Sequence, residues 1–114
     1  MNLYEETMAE LKAAGYEPSD IKAVFGETYQ IPIDNFLTLA KATDYDSGYG
    51  AQEVAFDLRI LLNDGAWLER GEYDGKEWWQ LRKSPQPPAE IRTIKHLAVF
   101  GGFVGWERLE DLNK

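Results

Sequence analysis

The chain has 114 residues, no cysteine, and 20 acidic against 12 basic side chains, for a formal net charge of −8. A chain of this length should bury about 65% of its unfolded surface, so residues 1 to 114 are read as a single domain that needs no metal or disulfide staple. The lack of cysteine excludes disulfides, thiolate nucleophiles and cysteine-ligated zinc, and the negative charge opposes direct binding to phosphate backbones or anionic lipid.

Glu5, Glu6 and Glu10 stand where a secretory leader needs a basic start and an apolar run. No stretch approaches the ~18 apolar residues of a membrane span. These observations lead us to expect a cytoplasmic protein whose charged partners are basic.

Asn2 followed by Glu5 has capping-box spacing, and Leu3 or Tyr4, Thr7 or Met8, and Leu11 recur at helical intervals before Gly15, predicting a helix over 3 to 14. Pro18, Ser19 and Asp20 restart a short helical turn in which Ile21, Val24 and Phe25 point one way until Gly26. Ile31-Pro32-Ile33 reads as a brief extended piece. Asp34 caps the next helix, running to about Thr43, with Ile33, Phe36, Leu37 and Ala40 as its buried stripe. Asp44-Tyr45-Asp46-Ser47-Gly48-Tyr49-Gly50 is turn chemistry and predicts a structured loop.

From Val54 the period changes to two: Val54, Phe56, Leu58, Ile60 and Leu62 face one way, with Asp57 and Arg59 on the other, up to Asn63-Asp64-Gly65. Two-residue turns at Asp64-Gly65 and Asp74-Gly75 add strands over 66 to 73 and 76 to 83. In that register Leu62 faces Trp67, Gly71 faces Trp78 and Arg70 faces Trp79. Trp78 then covers Gly71 on the face of Phe56, Leu58 and Ile60. Trp79 shares the other face with Leu61, Leu68, Leu81, Arg59 and Arg70, where an arginine over an indole contributes about 0.5 to 2 kcal/mol. Trp67, Trp78 and Trp106 are assigned to the core or its edge, Trp79 and Tyr73 to more open positions.

Ser84-Pro85-Gln86-Pro87-Pro88 lacks too many amide donors to continue a central strand and reads as an extended connector. Ile91 to Leu97 is expected to return as a fourth strand, with Gly101-Gly102 separating it from a short helix around Trp106 to Leu112. The fold class is therefore α+β: an antiparallel meander of three or four strands, with the N-terminal helices packed on one face.

The chemistry-bearing residues form no catalytic signature. Counted from Asp44, the fifth, sixth and twelfth positions of a calcium loop hold Gly48, Tyr49 and Ala55, the wrong residue types. His96 is the only histidine, too few for a histidine-supported zinc site and a thin basis for a nucleophilic triad. Glu69, Glu72 and Glu77 have the chemistry of an acid/base pair but read as hairpin carboxylates balanced by Arg59, Arg70 and Arg82. Gly48-x-Gly50 lacks the context of a phosphate loop. No catalytic, cofactor-binding or metal-binding residue is assigned, and a non-enzyme is expected.

Three segments carry a resemblance. Phe36-Leu37-Thr38-Leu39-Ala40-Lys41, Asp44 to Val54, and the hairpin Trp67-Leu68-Glu69-Arg70-Gly71-Glu72-Tyr73-Asp74-Gly75-Lys76-Glu77-Trp78-Trp79 resemble an uncharacterised family of small bacterial proteins encoded largely in phages and other mobile elements. The resemblance covers roughly residues 30 to 82. It implies an intracellular, mobile-element context and brings no catalytic residues.

The expected function is a non-enzymatic protein-binding module. Its sharper form is a counter-defence inhibitor of anti-CRISPR or anti-restriction type, whose carboxylates imitate phosphates toward a basic nucleic-acid-binding protein. The partner-binding residues expected at an acidic rim are Asp44, Asp46, Glu69, Glu72, Tyr73, Asp74, Glu77 and Trp79. Two other classes compete with this reading. One is a ligand-binding or enzymatic domain with a pocket between sheet and helices that uses Tyr45, Tyr49 and Trp79. The other is an assembly subunit pairing through an exposed sheet edge.

Overall fold

The computed structural model describes residues 1–46, 48, 50–98 and 107–114. Its first helix, α1 (Leu3–Ala13), starts where the Asn2 side chain accepts a hydrogen bond from the Glu5 amide. That bond satisfies one of the donors a helix start leaves unpaired. The Asn2 amide group also donates to the Lys41 carbonyl and the Asp44 carboxylate, at 3.1 and 3.0 Å. At the other end Gly15, at φ +85°, lets the Gly15 and Tyr16 amides turn back onto the Lys12 and Leu11 carbonyls. This 5→2 and 6→1 pairing is the Schellman stop that a glycine at this position favours.

Pro18–Asp20 forms a single 3-10 turn, as its residues suggest, but a strand follows it. Ile21–Phe25 is β1, paired with the two-residue β2 (Gln30–Ile31). The helical expectation failed because of a bulge: the pairing register shifts between Ile21 and Ala23, so Ile21 and Val24 both face the core although three residues apart. An extra residue in a strand thus reproduces the i, i+3 spacing of a helix.

The second helix, α2 (Ile33–Lys41), buries Phe36 and Ala40. Pro32 occupies its cap position, and Asp34 lies in the first turn instead of capping. The helix stops two residues short of the expected Thr43, whose hydroxyl donates to the Leu39 carbonyl. Beyond α2 the chain comes alongside its own start, with hydrogen bonds from the Leu3 amide to the Thr43 carbonyl and from the Tyr45 amide to the Met1 carbonyl.

Only the last four residues of the expected strand from Val54 to Leu62 pair, as β3 (Arg59–Leu62). Val54 is buried, but Phe56 is 70% exposed. The Asp57 carboxylate turns toward the β1–β2 connection, where it accepts from the Glu27 amide. It sits so close that a Cβ on Gly26 would lie 2.7 Å from its Oδ2.

The hairpin from β3 into β4 (Trp67–Tyr73) departs from expectation by one residue. Its loop is Asn63-Asp64-Gly65: the Leu62 amide bonds the Ala66 carbonyl, the Gly65 amide bonds the Leu62 carbonyl, and Gly65 has φ +89°. A three-residue loop with a left-handed glycine is a favoured hairpin connection. Leu61, rather than Leu62, therefore faces Trp67, and Ile60 faces Leu68. The next turn, Asp74 (φ 51°) and Gly75 (φ 85°), has two residues as expected, and it leads into β5 (Lys76–Arg82) with Arg70 opposite Trp79 and Gly71 opposite Trp78.

The result is a five-stranded antiparallel sheet in the order β2-β1-β3-β4-β5, an α+β fold with more strands than the three or four expected. The inner face presents Ile21, Val24, Ile60, Leu62, Leu68 and Trp79 to a core shared with Leu3 and Leu11 of α1 and Phe36 and Ala40 of α2. Because the register slips by one, Leu61 and Arg59 lie on the outer face with Trp78, not beside Trp79. Residues 91 to 97 form no strand, and Ile91 and Leu97 are 94% and 82% exposed. A short helix, α3 (Leu109–Leu112), follows, and Asn113 ties it to the amides of Lys95 and His96. Gly101, Gly102 and Trp106 lie outside the described residues. Among the described residues no helix is long and apolar enough to cross a membrane.

The Trp78 indole lies against the bare backbone of Gly71, where an added Cβ would come within 2.7 Å of its Nε1. Gly71→Ala should lower unfolding stability by about 1 to 3 kcal/mol, the usual range for overpacking. In a Trp78→Ala background most of that penalty should vanish; chemical denaturation of the four proteins measures the difference.

Candidate functional site

Alternation along the β4–β5 hairpin puts Arg70, Glu77 and Trp79 on the inner face, beneath α1. There the Arg70 guanidinium is fully enclosed. It donates to Glu77 Oε1 at 2.9 Å, to Glu6 Oε2 at 3.2 Å and to the Tyr45 hydroxyl at 3.1 Å. It also lies over the Trp79 ring at 4.8 Å and the Tyr45 ring at 5.5 Å. The side chains of Arg70 and Glu77 have no solvent exposure, and that of Glu6 retains 12%.

One cation is thus shared by two carboxylates, and backbone amides disperse the remaining negative charge. Glu77 accepts from the Glu53 and Val54 amides at 2.7 and 3.2 Å, and Glu6 accepts from the Trp79 amide at 3.2 Å and from the Tyr45 hydroxyl. Nearby, the Trp79 indole donates to Thr7 Oγ1 at 2.8 Å, and Thr7 donates to the Leu3 carbonyl. Charge-assisted bonds of this kind are stronger than neutral ones and offset the burial of the ion; of the guanidinium nitrogens, Nε alone has no hydrogen-bond partner among the described residues.

Burial works against the Arg70 cation, but the Tyr45 hydrogen bond and the Glu6 and Glu77 carboxylates outweigh it and raise its pKa. Burial, followed by the hydrogen bond to Glu6, pushes the Tyr45 hydroxyl up to about 12. Apart from Arg70 Nε, the cluster's polar groups bind α1, the 44–54 loop and the hairpin to one another.

The expected rim residues consequently separate. Glu77 and Trp79, at 4% and 3% exposure, are core residues; the expectation that Trp79 is open and that Glu77 lies on an acidic rim is corrected by their inward register. Asp44 binds Asn2, and Asp46 accepts from the Gly48 amide while its own amide bonds Glu53. Both acids therefore shape the loop beside α1. Glu69 pairs with Arg82 across the outer face at 3.0 Å. Glu72, Tyr73 and Asp74 remain together and exposed at the hairpin tip, with Glu72 accepting from the Gly75 amide. Among the described residues no group of three His, Asp or Glu side chains is arranged to hold a metal ion.

The sheet's outer face is a surface that the alternation argument missed. Its cross-strand rows run Ala23-Leu61-Trp67-Arg82 and Phe25-Arg59-Glu69-Gln80, with Trp78 and Tyr73 toward the tip. Helices α1 and α2 cover the opposite face, and Tyr29, Tyr73 and Trp78 stay 72%, 75% and 39% exposed. Trp78, expected in the core or at its edge, is an exposed residue of this face. Ala23, Phe25, Tyr29 and Leu61 line a shallow depression of about 440 Å³ beside β2. The sequence signal for this face was present in the aromatic residues at alternate hairpin positions. Its reading depended on the loop length at Asp64.

No family model matches the chain, and neither a curated protein nor a solved structure is significantly similar to it.

Removing Arg70 strands two buried carboxylates, so Arg70→Ala should destabilise the fold by about 3 to 5 kcal/mol. Arg70→Ala combined with Glu77→Ala should cost less than the sum of the single changes, as a double-mutant cycle by urea unfolding would show. A separate test uses pH. Tyr45 ionises near 10 when unfolded and near 12 when folded, so its stabilising contribution is complete below pH 10 and disappears as pH rises toward 12. The stability gap between the wild type and Tyr45→Phe should therefore narrow over that interval.

Proposed function

We propose that this chain is a non-enzymatic protein-binding module of the cytoplasm, which engages its partner through the outer sheet face and the tip of the β4–β5 hairpin. The observation that carries the reading is the cluster of exposed aromatic residues, Trp78 and Tyr73, on a sheet face opposite both packed helices and beside the carboxylates of Glu72 and Asp74. Aromatic side chains supply large contact area at little entropic cost and dominate the energetics of protein interfaces. Glu69, Glu72, Tyr73 and Asp74 belong to this surface, Trp78 joins them, and Asp44 and Asp46 flank the loop.

A net charge of −8 favours a basic partner. The resemblance to phage and mobile-element proteins supports the sharper form of the reading, inhibition of a basic defence nuclease. Against a pocket enzyme stand Tyr45 and Trp79, which are spent inside the core; Tyr49 lies outside the described residues.

The test is co-purification from the native host. The wild-type chain should retain a stoichiometric basic protein, and Trp78→Ala with Tyr73→Ala, or Glu72→Lys with Asp74→Lys, should weaken retention at least tenfold while circular dichroism stays unchanged. A partner held equally by all three proteins would overturn the proposal.

A further inference from the structure

The edge of β5 carries a second feature. β5 ends the sheet order, so among the described residues one side of it has no strand neighbour. Across a two-residue hairpin the pair next to the turn, Tyr73 and Lys76, exchanges hydrogen bonds and the pairs then alternate. Glu77, Trp79 and Leu81 therefore direct their backbone groups away from β4. The Trp79 amide confirms the direction, since it donates outward to Glu6. Leu81 has no such partner among the described residues, and its N–H and C=O remain available on a free edge.

Beside the Glu77–Trp79 part of this edge, between β5 and α1, runs an open groove of about 590 Å³, and Leu81 follows two residues further along β5. Its helical wall is Glu6, Ala9, Glu10 and Ala13, spaced i, i+3, i+4 and i+7 along one face of α1, with Glu5 at the rim and Trp78 on the strand side. Alanines at two of these positions leave the groove unfilled. Met1 also lines it, with its terminal ammonium bonded to the Tyr45 carbonyl at 3.0 Å; no Lys or Arg side chain does, and among the described residues Glu5 and Glu10 form no ion pair.

We propose that this groove receives an extended, lysine- or arginine-bearing segment of the partner protein, added as a strand to the free edge of β5. Main-chain bonds to Leu81 would supply the pairing that an edge strand offers, while the Glu5 and Glu10 carboxylates select cationic side chains. Glu6 is already committed to Arg70, Tyr45 and the Trp79 amide, so it closes the middle of the edge and sets where an added strand can begin. Trp78 offers an indole to the same cations. The inference rests on the protein-binding reading and adds the chemistry of the partner.

The probe is a synthetic ten-residue peptide of alternating lysine and valine, titrated into the 15N-labelled full chain beside a glutamate–valine control. The lysine peptide should shift the Leu81 amide and Trp78 indole resonances, and the glutamate peptide should shift neither. Glu5→Gln with Glu10→Gln, both outside the core, should weaken binding at least tenfold. Leu81→Pro, which deletes the outward N–H and leaves the β4 ladder intact, should weaken it further than Leu81→Ala. An unresponsive Leu81 amide, or affinity equal in the wild type and the double Gln variant, would overturn the proposal. So would concentration-dependent dimers by sedimentation that bury the same edge. Loss of the native partner on changing Glu72 and Asp74, with the groove variants still retaining it, would discard the groove and preserve the binding module.

Discussion

A guanidinium enclosed by two carboxylates organises this fold. Arg70 is held at once by α1 through Glu6, by the hairpin through Glu77 and by the 44–54 loop through Tyr45. Ions removed from water carry a desolvation cost of several kcal/mol each, which an isolated pair seldom recovers. Here the Trp79, Glu53 and Val54 amides complete the carboxylates' hydrogen bonds, and two aromatic rings face the cation. The arrangement is specific: apolar side chains of similar volume would fill the space without orienting the loop, because they cannot accept from the two successive amides of Glu53 and Val54 as Glu77 does.

The same cluster explains how acidity is distributed. Glu6 and Glu77 are consumed internally, Asp44 and Asp46 brace the chain beside the start of α1, and Glu69 is matched by Arg82. Solvent-facing acids are spread over the chain, Glu17, Glu27, Asp34 and Glu90 among them; beside β5 they are Glu72 and Asp74 at the hairpin tip and Glu5 and Glu10 along α1. These groups flank β5 from its turn and from its free side. A partner with basic surface would meet carboxylates together with Trp78 and Tyr73, and apolar contact would then fix the orientation that long-range charge alone leaves loose.

Two glycine turns set which side chains are available for that contact. At Asp74-Gly75, left-handed φ at both positions builds a two-residue turn. At Gly65 one left-handed residue closes a three-residue loop. Each added loop residue inverts the facing of a whole strand relative to its neighbour. With the observed lengths, Ile60 and Leu62 enter the core and Leu61 joins Trp67 on the outer face.

Local chemistry by itself determined the α+β class, α1 with its Asn2 start and Gly15 stop, the stripe of α2, the Asp74-Gly75 hairpin, and the facing of Arg70 with Trp79. Each of these depends on residues within a few positions of one another. Tertiary structure alone decided the rest. The bulge in β1 turned an apparent helical spacing into a strand, because pairing with β3 outweighed a weak local preference. Asp57 was drawn to the β1–β2 turn, which ended the alternating run from Val54 early. Glu6 gave no local sign of its role, since its partners Arg70 and Tyr45 lie 64 and 39 residues away. Burial of Glu77 and Trp79 followed from that long-range ion pairing, which no pattern of neighbouring residues encodes.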